Sequence, residues 1–139
     1  MPNQVVWRWP SFEPQEVLSP MGLDAYLNQG ILLFSPIMLT CLEQFRAAIN
    51  KPILINHGHH THRGYRSCTE NASVSGGKQS MHLQGVAADC TIKGVKPEDL
   101  AKAAEASGLF SGIGLYPEKN FVHLDIRCTT DGKIRKWVG

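Results

Sequence analysis

Hydrophobic positions in two parts of the chain recur at helical spacing. Ser35 and Pro36 form a helix-start signal, because a serine hydroxyl caps free amides and proline is tolerated in the first turn. Apolar side chains then follow three or four residues apart, at Leu39, Leu42, Phe45 and Ile49. This pattern predicts an amphipathic helix over residues 36–50. A second helix is predicted from Pro97 to a stop at Gly108.

Short apolar or alternating segments predict strands elsewhere. They are residues 53–55, 86–92, 112–116 and 121–127. The last two flank the turn residues 117–120, an arrangement typical of a β-hairpin. The chain is therefore expected to be α+β, with a small antiparallel sheet flanked by two or three helices.

Two further segments show no sustained period. Residues 1–34 combine aromatic side chains with prolines and polar residues, so we expect an irregular arm, anchored by its aromatics, with one short helix near Leu23 to Leu27. Residues 58–79 are polar and interrupted by glycine, which predicts a long loop of the kind that is often functional. Because there is no internal repeat or linker, we expect residues 1–139 to form a single domain.

Composition and charge limit the classes of function. Charged residues make up 19% of the chain and the formal net charge is +2, so the strong field that attracts nucleic acid or an anionic membrane is missing. No segment approaches the roughly 18 apolar residues of a transmembrane helix, and the start of the sequence lacks the pattern of a signal peptide. We therefore expect no nucleic-acid partner, no membrane insertion and no export signal.

Cysteine and histidine are distributed differently. The four cysteines lie far apart in the sequence: Cys41, Cys68, Cys90 and Cys128. This spacing gives no support to a zinc site built from thiolates. It is compatible both with reduced thiols in the core and with disulfides formed after release. Four of the six histidines lie within residues 57–62, where a solvated loop, a second metal site and substrate contacts are alternatives. His82 and His123 stand alone.

Strand alternation places polar side chains on one face of the predicted hairpin. We assign the apolar face to the core: Val122, Leu124 and Ile126. The opposite face then carries His123, Asp125 and Arg127. The same alternation in the strand over 86–92 puts Asp89 on a face away from the core. Because an unpaired buried carboxylate is costly, we expect a functional partner for Asp89, with a structural ion pair as the alternative.

His82 and His123 form a candidate metal site with Asp89. On one continuous helix, His82 and Asp89 would lie about 10 Å apart, which is too far to share a metal. Gly85 permits a turn between them, since glycine adopts backbone conformations closed to other residues. Two imidazoles and one carboxylate suit a catalytic zinc site with one open position, and the sequence predicts one Zn²⁺ per chain.

Several motifs resemble those of the zinc D-Ala-D-Ala carboxypeptidase superfamily, the M15-type peptidases. The most specific is Ser80-x-His82-x-x-Gly85-x-Ala87-x-Asp89. The other matches are Gly64-Tyr65-Arg66-Ser67 with Asn71, Gly76-Gly77, Gly112-x-Gly114-x-Tyr116-Pro117, Phe121-Val122-His123-Leu124-Asp125 and Trp137. The resemblance covers about residues 35–138, is greatest to short phage-lysin-like and YcbK-like members, and implies a fold similar to D-Ala-D-Ala carboxypeptidases and hedgehog signalling domains.

The resemblance implies a zinc peptidase that cleaves peptidoglycan stem peptides as a D,D-carboxypeptidase or an endopeptidase. It implies that His82, Asp89 and His123 hold the zinc ion. Arg66 matches an arginine that stabilises the oxyanion and contacts substrate, a role that suits a fixed positive charge beside the metal. Ser80 and Tyr116 are the other expected substrate-binding residues, and Ser80 has the alternative of capping a turn.

The general base is where this sequence departs from the family pattern. Many relatives carry an acidic residue three positions before the last histidine ligand, and this chain has Asn120 there. Asp125 is the expected base because strand alternation puts it on the face of His123. Orientation of a ligand and pairing with Arg127 are its alternative roles. Glu118, in the hairpin turn, is the second candidate base.

Two other functions compete with the peptidase hypothesis. A non-catalytic cell-wall-binding or morphogenesis module that kept the fold and metal is favoured by Asn120. A nuclease or metal-storage loop built on residues 57–62 lacks a basic surface and a phosphate-binding motif. For the peptidase, we expect a monomer that stays cytoplasmic until release and then acts at the cell wall or periplasm, as a phage or prophage lysin would.

Overall fold

The computed structural model describes residues 6–55, 63–74 and 80–139. Its helices are α1 (Pro14–Val17), α2 (Pro20–Gln29), α3 (Pro36–Ile49), α4 (Cys68–Ser73) and α5 (Pro97–Ser107). Its strands are β1 (Ala87–Cys90), β2 (Gly112–Tyr116), β3 (Phe121–Asp125) and β4 (Arg135–Val138), and a 3-10 turn (Met81–Gln84) precedes β1. The histidine tract at residues 57–62 lies outside the described residues, so the hypotheses about it stay predictions.

The two predicted helices are confirmed as α3 and α5. The Ser35 hydroxyl accepts a hydrogen bond from the Met38 N–H at 3.3 Å, as expected for the residue that caps a helix. The apolar stripe of α3 is buried at Met38, Leu39, Leu42 and Phe45. Helix α5 is followed by Gly108, whose φ of 69° lies in the left-handed region that glycine adopts without strain.

The N-terminal arm contains more helix than the sequence pattern predicts. Its predicted short helix extends over the whole of α2, which is capped by the Ser19 hydroxyl accepting from the Gly22 N–H. Ser19 and Pro20 repeat the start signal of α3, but α2 carries polar residues that weaken its period. Three apolar side chains of this segment lie in the core: Trp9, Phe12 and Leu18.

The sheet has the strand order β1-β3-β2-β4, and the α+β class is confirmed. Strands β1 and β2 both pair antiparallel with β3, while β4 pairs in parallel with β2. The sequence did not predict β4, because Arg135 and Lys136 are exposed on this edge strand and give it no apolar alternation. The expected strand over 53–55 is reduced to an isolated bridge between Leu54 and Thr91.

The predicted loop over 58–79 also contains a helix, α4. Its first turn is closed by a capping box, in which the Ser67 hydroxyl accepts from the Glu70 N–H and the Glu70 carboxylate accepts from the Ser67 N–H. The Ser19 hydroxyl also donates to Glu70, at 2.6 Å. Burial raises the pKa of Glu70, but these hydrogen bonds outweigh it, and the net pKa is lowered. Glu70 therefore ties α4 to the start of α2.

The two faces of the sheet separate the core from the candidate site. Val122 and Leu124 are fully buried in the core, and α5 packs on β2 and β3 from that side. His123 and Asp125 lie on the opposite face, which confirms the predicted alternation. Among the described residues all four cysteines are free, with Cys90 buried in the core. No helix within the described ranges has the length and hydropathy needed to span a bilayer.

Candidate metal centre

Three buried side chains converge at the edge of the sheet. His82 comes from the 3-10 turn, Asp89 from β1 and His123 from β3. The antiparallel register sets Asp89 directly opposite His123, and the His123 Nδ1 lies 3.2 Å from the Asp89 Oδ1. The His82 Nε2 lies 3.3 Å from the same oxygen. One potential ligand atom from each residue therefore lies within 4.8 Å of the others.

Gly85 makes this convergence possible. Its φ of 66° ends the 3-10 turn and reverses the chain toward β1, as the sequence predicts. A Cβ atom at this position would lie 2.1 Å from the Leu33 carbonyl oxygen, so the space also requires glycine. The Ser35 N–H donates to the Gly85 carbonyl oxygen at 2.8 Å and fixes the turn against the start of α3.

The hydrogen bonds of His82 determine its tautomer. Its Nδ1 lies 2.8 Å from the Gly64 carbonyl oxygen, which only accepts hydrogen bonds, so Nδ1 carries the proton. In the neutral ring, Nε2 then directs a lone pair at the Asp89 carboxylate. Two acceptor atoms 3.3 Å apart repel one another unless a proton or a metal cation lies between them.

His123 is oriented from its other side by Asp125. The His123 Nε2 lies 2.7 Å from the Asp125 Oδ2, and the Arg127 Nη2 donates to the same oxygen at 2.6 Å. Burial raises the pKa of Asp125, but its contacts with His123 and Arg127 outweigh burial and hold it well below its usual range. An ionised Asp125 accepts the Nε2 proton, which leaves Nδ1 as the ring atom that faces Asp89.

The donor set fits a zinc ion. Ligand bonds of about 2.0–2.2 Å in a tetrahedron give ligand-to-ligand distances of about 3.3–3.6 Å. The two histidine-to-Asp89 distances, 3.2 and 3.3 Å, lie at the short end of this range. Burial alone raises the pKa of Asp89, but interactions with His123 and His82 hold the net pKa well below its usual range, so the carboxylate is ionised. Two imidazoles and an ionised carboxylate are ligands that zinc prefers.

Arg66 lies beside these three residues. Its Nη2 is 3.6 Å from the Asp89 Oδ2, and its Nη1 donates to the Asn71 Oδ1 at 3.2 Å. The Arg66 N–H also donates to the His82 carbonyl oxygen at 3.1 Å, so both backbone and side chain are held. Burial lowers the pKa of Arg66, and the charge of Asp89 opposes this shift. Because arginine keeps its proton under such shifts, a fixed positive charge stands next to the centre.

The structure places the other predicted site residues, Ser80, Tyr116 and Glu118, in three different surroundings. The Ser80 hydroxyl accepts from the His82 N–H at 3.3 Å, which is the turn-capping alternative. Tyr116 stacks on Phe121, and its hydroxyl accepts from the Trp137 Nε1 at 3.0 Å. Glu118 is exposed in the β2–β3 turn, and within the described chain no hydrogen bond or ion pair joins it to the three converging residues.

Asn120 has a backbone role in the β2–β3 turn. Its φ is 56°, a left-handed conformation that asparagine adopts more readily than most residues. Its N–H donates to the Pro117 carbonyl oxygen at 3.3 Å and closes the turn. Asn120 therefore has a local structural role in this turn.

Trp137 is a site residue whose position the sequence did not reveal. Its ring centroid lies 5.2 Å from that of His123, and the Arg127 guanidinium carbon lies 4.9 Å from the centroid of the Trp137 ring. The indole occupies space that a Cβ of Gly114 would fill, just as Asp125 occupies the space beside Gly112. The spacing Gly112-x-Gly114 on a strand is the signal that could have indicated large groups packed over β2.

Comparison with known families agrees with this geometry. The family model for peptidase M15 matches residues 21–125, a stretch that contains His82, Asp89 and His123. The chain belongs to the peptidase M15 family. The predicted family resemblance is thus confirmed.

Curated relatives match part of this peptidase M15 chain. It is 38% identical over 81 residues to a probable peptidoglycan L,D-endopeptidase MepK of Haemophilus influenzae, covering 55% of this chain and 40% of the relative. It is 37% identical over 79 residues to the peptidoglycan L,D-endopeptidase MepK of Escherichia coli, covering 53% and 40%. The same figures hold for the protein of that name in Shigella flexneri. The matched region therefore spans less than half of each relative.

Proposed function

We propose that this protein is a zinc-dependent endopeptidase that cleaves the peptides of bacterial peptidoglycan. The observation that carries the proposal is the convergence of His82 Nε2 and His123 Nδ1 on one oxygen of Asp89, within a chain of the peptidase M15 family. Endopeptidase activity on peptidoglycan is favoured over D,D-carboxypeptidase activity by the names of the relatives.

Each residue at the centre has a distinct task in this proposal. His82, Asp89 and His123 hold the metal, with Gly64 and Asp125 fixing the two ring orientations. A zinc ion held there would supply Lewis acidity toward the scissile carbonyl and the attacking water. Arg66 supplies positive charge for the developing oxyanion, because its guanidinium lies beside Asp89 and donates to Asn71.

The contacts of Asp125 favour the orienting role over the role of general base. Its carboxylate is fully buried behind the His123 ring and is already bound by Arg127. Glu118 is exposed in the adjoining turn and no described contact occupies it at the centre, which makes it our candidate for the base.

Variants of these two carboxylates should separate the roles. We expect Asp125→Asn to weaken zinc affinity by about 10–100-fold, because an amide orients His123 less firmly. We expect Glu118→Gln to leave zinc affinity unchanged and to lower kcat by about 100-fold or more at saturating zinc. Zinc titration with a competing chelator and steady-state kinetics measure the two effects. Unchanged zinc affinity with a lower kcat in Asp125→Asn would instead make Asp125 the base.

Digestion of purified peptidoglycan tests the proposed function directly. The zinc-loaded protein should release cross-linked and uncross-linked stem peptides with internal bonds cut, identified by mass spectrometry, and a chelator should abolish the release. Release of terminal D-Ala alone would identify a carboxypeptidase. Binding to peptidoglycan without any cleavage would establish the non-catalytic wall-binding module, which the absence of an acidic residue at Asn120 favours.

A further inference from the structure

A cleft of about 710 Å³ opens beside the candidate metal centre. It lies where β1 ends and β3 begins, between the β1–α5 connection and the β2–β3 turn. Thr91 to Pro97 form one wall, and Lys119 and Asn120 form part of the other. None of the tasks assigned above to the metal centre uses this cleft.

The charged side chains that line the cleft are all basic: Arg63, Lys93, Lys96 and Lys119. The whole chain has a formal net charge of only +2, so this concentration of positive charge is local. Within the described part of the chain, no ion pair joins any of the four to a carboxylate. The electrostatic potentials of unpaired cations add up within a concave surface, so the cleft attracts anions.

Two of these cations are placed by aromatic rings. The Arg63 guanidinium carbon lies 5.8 Å from the centroid of Phe121, and the Lys119 Nζ lies 5.9 Å from that of Tyr116. Phe121 and Tyr116 stack on each other across β2 and β3. The stacked pair therefore holds positive charge at the end of the sheet nearest the cleft.

The backbone connects the cleft to the metal centre over a short distance. The Asp89 N–H donates to the Arg63 carbonyl oxygen at 2.8 Å. Thr91, which lines the cleft, follows Asp89 by two residues, which is about 7 Å of extended strand. An extended peptide advances about 3.3 Å per residue. A substrate whose scissile bond lies at the centre therefore reaches the cleft with its second or third residue.

We propose that this cleft is a subsite for free carboxylate groups on an acidic peptide substrate. The inference rests on the proposed function and specifies its substrate class, because peptidoglycan stem peptides carry side-chain and terminal carboxylates that can also be amidated. Lysine ammonium groups on flexible stems match carboxylates at several positions along such a peptide. The cleft thus selects stem peptides with free carboxylates over their amidated forms.

Two synthetic stem peptides that differ only in amidation of their side-chain carboxylates test the subsite. For the double variant Lys93→Gln and Lys119→Gln, we expect KM for the free-carboxylate peptide to rise about tenfold, with kcat changed less than about twofold. KM for the amidated peptide should change less than about twofold, because it offers no carboxylate to the lost ammonium groups. An equal effect on both peptides, or none on either, would overturn the proposal.

Lys133→Gln is the matched control, since Lys133 is exposed and lies outside the cleft. It should leave both KM values unchanged, and a tenfold rise of KM in Lys133→Gln would assign the effect to the total charge of the protein and overturn the subsite.

Equilibrium binding of both peptides to the full chain, with turnover stopped by a chelator, gives a second readout. If the wild-type protein prefers the free-carboxylate peptide and the double variant loses this preference, the subsite is supported. This holds even if neither peptide is cleaved, because the absence of cleavage overturns only the proposed function. Equal binding of the two peptides by the wild-type protein overturns the subsite.

Discussion

Replacing Asp89 with alanine should remove the bound zinc and lower peptidase activity by at least about a thousandfold. Asp89 is the residue whose Oδ1 lies within 3.3 Å of both imidazoles, so its loss removes a ligand and the negative charge that compensates the cation. Metal analysis of the purified variant and digestion of peptidoglycan measure the two effects. We expect about one zinc per chain in the wild-type protein and substoichiometric zinc in the variant.

Asp24→Ala is the control for this prediction. Asp24 is exposed on α2 and accepts a hydrogen bond only from the nearby Asn28 side chain among the described contacts. Its replacement should leave zinc content and activity at wild-type values. Full activity in Asp89→Ala after treatment with a chelator would exclude the proposed metal centre.

Replacing Gly85 with alanine should destabilise the fold by about 2–4 kcal/mol. The cost has two parts, because alanine is strained at a φ of 66° and its Cβ would meet the Leu33 carbonyl oxygen at 2.1 Å. Relief of this contact requires the 3-10 turn to shift, which moves His82 away from Asp89. Urea denaturation should therefore show the loss of stability, and zinc titration should show a weaker site.

Gly132→Ala separates the two parts of that cost. Gly132 has a φ of 69°, but a Cβ there meets no atom within 4 Å. Only the backbone strain remains, so we expect a loss of about 1 kcal/mol and unchanged zinc affinity. Equal destabilisation by the two substitutions would show that the Leu33 contact relaxes at no cost.

Local sequence patterns predicted much of the fold, because helix ends and strand faces depend on residues that are near one another in the sequence. The serine-proline pair before α3 and the glycine after α5 each satisfy the requirements of one helix end. The alternation of β3 predicted which of its side chains face the core. Strand β4 was missed because its pairing with β2 is long-range and its exposed edge requires no apolar residue.

The candidate ligands could be found from sequence, but the role of Asp125 could not. Strand alternation places His123 and Asp125 on one face, and this is equally compatible with a base and with an orienting group. Only the structure shows which nitrogen of His123 faces each carboxylate, with Nδ1 toward Asp89 and Nε2 toward Asp125. The orientation of the His123 ring depends on Asp125, which is held by Arg127, and on the neighbouring Trp137 ring, and no local pattern encodes these contacts.

The sequence by itself made His82, Asp89 and His123 a candidate set, since a glycine-dependent turn and strand alternation allow them to meet, and the family resemblance implied that they hold a metal. Tertiary structure alone decided how the charges around that centre are paired. Asp125 is neutralised by Arg127, while the cations of the neighbouring cleft have no carboxylate partner among the described residues. The physical reason is that charge pairing depends on distances of a few ångströms between segments remote in sequence, which only the packing of β1, β3 and the α5 connection sets.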